Sequence, residues 1–241
     1  MSNTRPVTLT ETTKEQLRSV STATLTSELI VHGFRNTFLT GIYPLRPDLQ
    51  MVGYAVTLRF APAREDMPAI VADLTVNPQR LAVEAIGEED VLVADARGEI
   101  RGAVFGDIFA HRLSALGAAG FVTDGSVRDT PSCAEIDLPI YLQAVQATRS
   151  NLWHHPADWN VPVGCGGVLI MPGDIIVGDG EGVVAIPAHV AEIVAANAYD
   201  QELRELHAIE MVKAGHSTVG IYPVTDQTSA EFEAWRSRQD L

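Results

Sequence analysis

The chain has 241 residues, 46% hydrophobic and 20% charged, enough for one well-filled core, so one domain with extra terminal segments is expected. Its formal charge of −14, from 17 basic and 31 acidic residues with no basic stripe, argues against nucleic acid as a direct partner, because phosphate binding needs clustered cations. No run approaches the roughly 18 apolar residues of a membrane span, the polar opening MSNTRPVTLTETTKEQ has no apolar signal core, and Cys133 and Cys165 sit in no CxxC pair.

A cytoplasmic location with no membrane partner is the corresponding expectation. In so acidic a chain an anionic substrate needs a local cation, which makes each well-placed arginine worth weighing. Along the chain, residues 12 to 33 read as helix. Thr12 or Thr13 can cap its start with Glu15 in the first turn, STATLTSELIVHG opens on a second Ser/Thr cap, and Gly33 is a stop. MVGYAVTLRF (51–60) is rich in β-formers, and APAREDMP breaks it. A helix over 76–87 leads through GEED to the buried strand VLVADA (91–96).

From there the pattern alternates. A glycine-rich entry at 102–106 precedes a helix from about Asp107 to Leu116, then the strand GFVTD, the turn GSVRD, a short helix over 130–135 and the strand LPIYLQAVQA (138–147). GVLIMPGDIIVGDGEGVVAIP (167–187) reads as three strands parted by PGD and GDGEG turns. A long helix over 188–214 follows, and AGHSTVGIYP closes the ordered part. The rhythm predicts one α/β domain with mixed sheets.

The chemistry concentrates in GFVTDGSVRDT (120–130), where one turn after an apolar strand carries Asp124, Arg128 and Asp129. Upstream, Gly106 lets the backbone approach a ligand, and the helix beginning near Asp107 points free N–H groups at whatever precedes it, a setting suited to a carboxylate. Arg128 offers a planar fork that grips a carboxylate in two places. Asp129 can take one position on a hard divalent cation, since Mg²⁺ accepts one or two protein carboxylates and keeps waters elsewhere. A structural role fits the same pattern: Asp124 and Asp129 capping the short helix while Arg128 pairs with one of them. Elsewhere, His154 and His155 lack zinc spacing and read as loop residues, neighbours that in an extended segment would face opposite ways. Cys133 reads as packed, with no basic partner. GDGEG lacks the lysine of a phosphate loop and reads as a tight turn.

The order Gly-Asp, helix, LGAAGFVTDGSVRD resembles the RraA-like family, which includes the class II 4-hydroxy-4-methyl-2-oxoglutarate and 4-carboxy-4-hydroxy-2-oxoadipate aldolases. VPVGCGGVLIMPGDIIVGDGEGVVAIP is similar to that family's second signature. The likeness runs from about residue 50 to 215, most specifically in 102–129 and 161–187. It implies an α/β/β/α sandwich resembling the swivelling phosphohistidine domain. The corresponding divisions are an N-terminal helical extension over 1–50, the RraA-like α/β domain with its C-terminal helix over 51–223, and a tail over 224–241. The resemblance further implies a homotrimer or hexamer with sites between subunits. It implies a lyase that splits a 4-hydroxy-2-oxo acid into pyruvate and a carbonyl product with Mg²⁺ or Mn²⁺, and decarboxylates oxaloacetate as a side activity. Such chemistry needs no Schiff-base lysine, and none lies near the motif.

Carried over, the resemblance makes Asp129 the metal-contacting residue, Arg128 the arginine that holds the pyruvate end, and Asp107 the acid that orients a water near the metal. Gly106 and the N–H groups of Ile108 and Phe109 would meet the substrate carboxylate. Family members also supply a glutamate from a neighbour's C-terminal helix; here Glu202, Glu205 and Glu210 are the choices, and the likeness does not select among them. Two departures stand out: the added STATLTSELIVHGFRNTFLTGIYPL, and RFAPAREDMPA with Arg59, Arg64, Glu65 and Asp66, either of which can reshape the pocket or serve as helix and solvated loop. Two further functions are open on the same scaffold. One is a hydro-lyase or C–C hydrolase acting on a 3-deoxy-2-oxo sugar acid. The other is a non-enzymatic regulator that binds a ribonuclease, the role behind the family's founding name.

Overall fold

The computed structural model describes residues 5–66, 75–222 and 226–238. Its first part holds helices α1 (Glu11–Ser19) and α2 (Thr22–Val31), the short strand β1 (Tyr43–Pro44) and the 12-residue strand β2 (Met51–Pro62). Next come α3 (Pro78–Ala85), β3 (Asp90–Asp95), β4 (Ala103–Phe105), α4 (Asp107–Ala115), β5 (Gly120–Thr123), β6 (Ser126–Val127), α5 (Thr130–Cys133), β7 (Ile140–Leu142) and β8 (Ala144–Val145). The last part holds β9 (His154–Trp159), β10 (Val163–Cys165), β11 (Val168–Ile170), β12 (Ile175–Gly178), β13 (Val183–Ile186), α6 (Ala191–Lys213) and α7 (Asp226–Arg236).

Capping sets the helix starts. Thr10, extended at ψ 159, accepts the Thr13 N–H at 3.1 Å, so α1 begins earlier than a cap at Thr12 or Thr13 would allow. Val20 is extended and parts α1 from α2, which Ser21 caps by accepting the Thr24 N–H at 3.2 Å. Gly33, at φ +88, ends that stretch as expected. Asn77 caps α3 with Pro78 in its first turn.

Strand β2 anchors the main sheet, ordered β1-β7-β5-β3-β2-β12-β13. One edge of β2 pairs in parallel with β3, while its other edge pairs antiparallel with β12 over Met51–Tyr54 and with β9 over Leu58–Pro62. Side-chain alternation separates the two faces. Val91 and Val93 join a central core with Met51, Ala55, Val122, Tyr141 and Ile176, whereas Leu92 and Ala94 face the core beneath α3, α4 and α5. A third core lies between α1, α2 and α6 and the outer face of β12 and β13. The sheet curls until Tyr141 on β7 donates to Asp179 O at 3.0 Å, and a Cβ at Gly178 would sit 2.7 Å from the Tyr141 ring. Helices therefore cover both outer walls of a folded-over sheet, an α/β/β/α arrangement.

Four local expectations change. The run 138–147 is not one strand: after Leu142 both Gln143 and Ala144 donate to Gly125 O (3.1 and 3.3 Å), which transfers the chain from β7 in the main sheet to β8 in a second, parallel sheet β4-β6-β8. The turn GSVRD contains β6 itself, paired to β4 through Ala103 and Ser126. His154 and His155 lie in strand β9 and not in a loop; His154 is buried while His155 is only half-buried, as opposite faces require. Beyond the expected end of order, α7 docks on α6 by burying Phe232 and Trp235 against Leu203, with the Trp235 indole N–H donating to Glu210 at 2.8 Å. Met67 and Pro68 of the predicted break, and residues 223–225 and 239–241 of the predicted C-terminal region, lie outside the described residues.

Trp235→Ala removes both the indole bond and most of that satellite core, a loss of about 3 kcal/mol for a buried Trp. Hydrogen exchange followed by mass spectrometry should show the amides of α7 reaching unprotected rates while those of β2 and β3 stay protected.

Candidate active site

Two parallel strands end side by side. Strand β4 runs through Gly106 into α4, and β6 runs through Arg128 and Asp129 into α5. The Arg128 N–H donates to Phe105 O at 3.0 Å, which ties the two exits together. Gly106 is extended (φ −157) and provides no side-chain cap, so the first N–H groups of α4 keep their free ends. A side chain at Gly106 would displace its neighbours: a Cβ there would lie 2.9 Å from Asp129 Oδ2 and 3.1 Å from Arg128 Cγ. The glycine is a matter of contact and not of backbone angle.

Asp129 takes the left-handed conformation, φ 54, and its side chain does not cap α5. Oδ2 instead forms an ion pair with Arg128 Nε at 3.1 Å, both side chains being 40% exposed. Of the structural roles open from sequence, the pairing with Arg128 holds and the capping by Asp129 does not. Asp124 stands apart: it is buried and accepts the N–H groups of Ala96 (2.6 Å) and Gly98 (3.0 Å), so it fastens the loop after β3. Burial pushes its carboxyl above the usual range, the backbone donors pulling the other way. Cys133 is packed, as expected, with its thiol pushed up to about 11 by burial and then by the Asp107 and Asp129 carboxylates.

A cavity of about 260 Å³ opens over this junction, lined by Ala103–Phe109, Arg128, Gln79, Arg80 and Arg149–Asn151. Gly106, Asp107, Ile108, Phe109 and Arg128 thus share one pocket, with Asp129 adjoining it against Gly106. Ile108 is 72% exposed, an apolar side chain on the open rim. Glu202, Glu205 and Glu210 are elsewhere: Glu202 receives the Ser21 hydroxyl, Glu205 receives Gln201 and Glu210 receives Trp235. None lines this chain's cavity. Nor do Arg59, held near Asp158 at 3.7 Å, and Arg64, paired with Asp66 at 2.6 Å.

Sequence pattern does not single out Gln79, Arg80 or Arg149–Asn151. They are 20 to 50 residues from the motif, and their only signal is charge: arginines in an acidic chain. Gln79 donates to Val104 O at 2.6 Å, and the Arg80 guanidinium lies 4.9 Å over the Phe109 ring. Arg149 is placed by a parallel bridge to Ala103. Behind it, Arg101 stacks on Trp153 at 3.9 Å and pairs with Glu99 through Nε at 2.8 Å, a strut under the 149–151 segment.

The donor set suits a hard divalent cation that keeps several waters. Asp107 lines the pocket and Asp129 adjoins it at Gly106, and the described residues offer Asp129 Oδ1 no hydrogen bond. Among the described residues no group of three or more His, Cys, Asp or Glu could enclose an ion, which does not suit a closed zinc centre.

The α/β/β/α fold and this junction define a class: residues 22–185 match the RraA-like family, described as Aldolase/RraA, and the chain belongs to it. It is 34% identical over 194 residues to a protein of Halalkalibacterium halodurans provisionally named 4-hydroxy-4-methyl-2-oxoglutarate aldolase, across 79% of this chain and 85% of that one. Streptomyces coelicolor RraAS2, titled an unusual member of the RNase ES inhibitor RraA protein family, superimposes with a TM-score of 0.75 at 31% identity, across 84% of this chain and 98% of that one. A protein of Pseudomonas syringae pv. tomato str. DC3000 shares the fold, with a TM-score of 0.77 at 24% identity, across 89% of this chain and 98% of that one.

Gly106→Ala should leave the thermal midpoint within about 4 °C of the parent, since the backbone there is ordinary, while a crystal structure of the variant shows the Asp129 carboxylate and Arg128 stem displaced. The Glu99 carboxyl is held down to about 2, first by the Arg101 side chain and then by the Arg101 N–H. A depressed carboxyl contributes stability above its ordinary value of 4.5 that is lost as pH falls toward about 2. The stability gap between the parent and Glu99→Gln, measured by denaturant unfolding across that window, should therefore close as the pH drops.

Proposed function

We propose that the protein is a divalent-cation-dependent pyruvate aldolase, a lyase that cleaves a 4-hydroxy-2-oxo acid to pyruvate and a second carbonyl compound and decarboxylates oxaloacetate as a side reaction. The observation that carries this reading is the meeting of Arg128 and Asp129 with the uncapped start of α4 across Gly106. The 34% identity to the provisionally named aldolase supports it.

Breaking the C3–C4 bond leaves an electron pair on C3 that spreads onto the C2 oxygen as an enolate. Acceleration requires groups that favour this anion over the neutral ketone. The Arg128 fork grips the pyruvyl carboxylate and adds positive potential beside C2, and the N–H groups of Ile108 and Phe109 add more at the helix N-terminus. A Mg²⁺ or Mn²⁺ ion held on Asp129 supplies, when bound, the Lewis acidity that polarises the 2-oxo group. Asp107 orients a water that accepts the proton of the C4 hydroxyl as the C4 carbonyl forms. The same water returns a proton to C3, completing pyruvate. Oxaloacetate reaches the same enolate with CO₂ as the departing group. The reading includes a homotrimer or hexamer in which an α6 glutamate reaches a neighbour's site. Glu205 is the simplest choice, since its partner Gln201 is on its own helix, whereas Glu202 and Glu210 join separate helices.

A regulatory reading draws on the 31% identity to RraAS2, described as an unusual member of the RNase ES inhibitor RraA protein family. It asks nothing of the Asp129 carboxylate.

With Mg²⁺ or Mn²⁺, two pyruvates should be released from each 4-hydroxy-4-methyl-2-oxoglutarate and one pyruvate with CO₂ from each oxaloacetate, and EDTA should abolish both. Arg128→Ala and Asp129→Ala should each lower kcat/KM at least about 100-fold. Folded, metal-loaded protein that yields no pyruvate would sink the aldolase, and nuclease capture that survives Asp129→Ala would favour the regulator.

A further inference from the structure

Of the adjacent pair His154 and His155, neither lines the cavity. His154 opens β9 opposite Pro62 of β2 and is 1% exposed, with the Phe60 ring edge-on at 5.5 Å. Both of its ring nitrogens are engaged. Nε2 lies 3.0 Å from Gly102 O, and Nδ1 lies 3.4 Å from Arg97 Nη2. A carbonyl accepts and a guanidinium donates, so the ring carries its proton on Nε2 and keeps Nδ1 as an acceptor. Burial, and then the Arg97 charge, push the imidazole below its ordinary 6.5 and favour that neutral form, while the Gly102 carbonyl and Glu99 pull the other way.

Segments that meet at this ring also build a wall of the cavity. Gly102 immediately precedes β4, and Ala103–Phe105 line the pocket as far as Gly106. Arg149–Asn151 line the same pocket, and the chain leads from them through Leu152 and Trp153 to His154. Arg97, left-handed at φ 64 in the loop after β3, also donates to Trp153 O at 3.3 Å. The crossing is tight: a Cβ at Gly102 would lie 2.9 Å from Trp153 Cδ1 and 3.0 Å from Arg149 O. Backbone pairing ties Ala103 N–H to Thr148 O at 2.9 Å ahead of the turn, and the imidazole supplies a tie beyond it. The turn itself, a single 3₁₀ turn over Ser150–Leu152, buries none of its residues and so depends on the ties at its two ends.

We infer that His154 is a positioning residue of the site: through Gly102 it fixes the start of β4 against the turn that follows Arg149, and so sets that wall of the cavity. The assignment of a substrate to the cavity rests on the aldolase reading. Arg97 holds the ring from its other nitrogen, and the Arg101 guanidinium stacked on Trp153 at 3.9 Å keeps the intervening residue in place.

Two neutral substitutions separate the ring nitrogens. In His154→Gln the side-chain N–H reaches Gly102 O as Nε2 does; in His154→Asn the shorter side chain gives up Gly102 O and keeps an acceptor beside Arg97. Hydrogen exchange of the intact protein needs no turnover. It should show His154→Asn raising exchange over 102–105 and 149–153 about 10-fold, the scale of one buried hydrogen bond, with β2 and β3 unchanged and His154→Gln close to the parent. With Mg²⁺, His154→Asn should lower kcat/KM for pyruvate release from oxaloacetate roughly 10- to 100-fold, and His154→Gln should keep most of it. A merely structural histidine would lower the thermal midpoint of both variants and leave kcat/KM per folded molecule unchanged. The parent alone tests the ring: nitrogen NMR at neutral pH should find the proton on Nε2. A proton on Nδ1, equal exchange in the two variants, equal rates where the parent turns over substrate, or loosening that spreads to β2 and β3 would overturn the role. The expected exchange pattern in protein that releases no pyruvate would count against the aldolase alone, leaving the positioning of the wall in place.

Discussion

The site depends on a close approach of two chain segments whose side chains meet only because residue 106 has none. Strands β4 and β6 lie parallel and finish level, so the entry to α4 and the entry to α5 meet at one point. With any Cβ at residue 106, the Asp129 carboxylate and the Arg128 stem could not rest where they do. The left-handed turn at Asp129 is the matching half of the device: it takes the carboxylate off the cap of its own helix and aims it across the junction. An exposed ion pair of this kind adds little stability. Its value is position.

Around that junction the fold sorts its charges by partner. Asp124, buried in the turn after β5, spends both oxygens on the backbone of the loop after β3, and so stiffens the scaffold without entering the pocket. Glu99 and Arg101 brace Trp153 behind the 149–151 segment. Arg128, Arg80 and Arg149 are left to face the cavity. An acidic protein thereby presents a locally basic hollow with carboxylates on one side, a combination suited to an anionic substrate and a hard cation together.

The curled sheet explains why these groups can come from distant parts of the chain. β2 is long enough to accept three partners, and its alternating side chains feed three separate cores. With both outer walls covered by helices, the small sheet β4-β6-β8 remains at the end of the structure, where its strands can deliver loops into a shared cavity. The C-terminal helix is fixed independently through Phe232 and Trp235.

Much of this was legible in the chain. The continuous apolar runs VLVADA and GFVT, the Ser21 and Gly33 boundaries, the PGD and GDGEG turns and the Gly106, Arg128, Asp129 spacing depend on short-range rules of period, capping and turn chemistry. Those rules do not see partners far away in sequence. That Gln143 turns onto Gly125 and splits a ten-residue apolar run between two sheets, that His154 is buried in a strand, and that Trp235 finds Glu210 are decided by what the rest of the fold brings near. The same holds for the pocket. Sequence determined where the carboxylates and guanidiniums stand along the chain, because those groups belong to the side chains themselves. Only the tertiary structure decided that Arg80 and Arg149 share their cavity, because the β4 pairing and the packing of α3, not chain distance, set who stands beside whom.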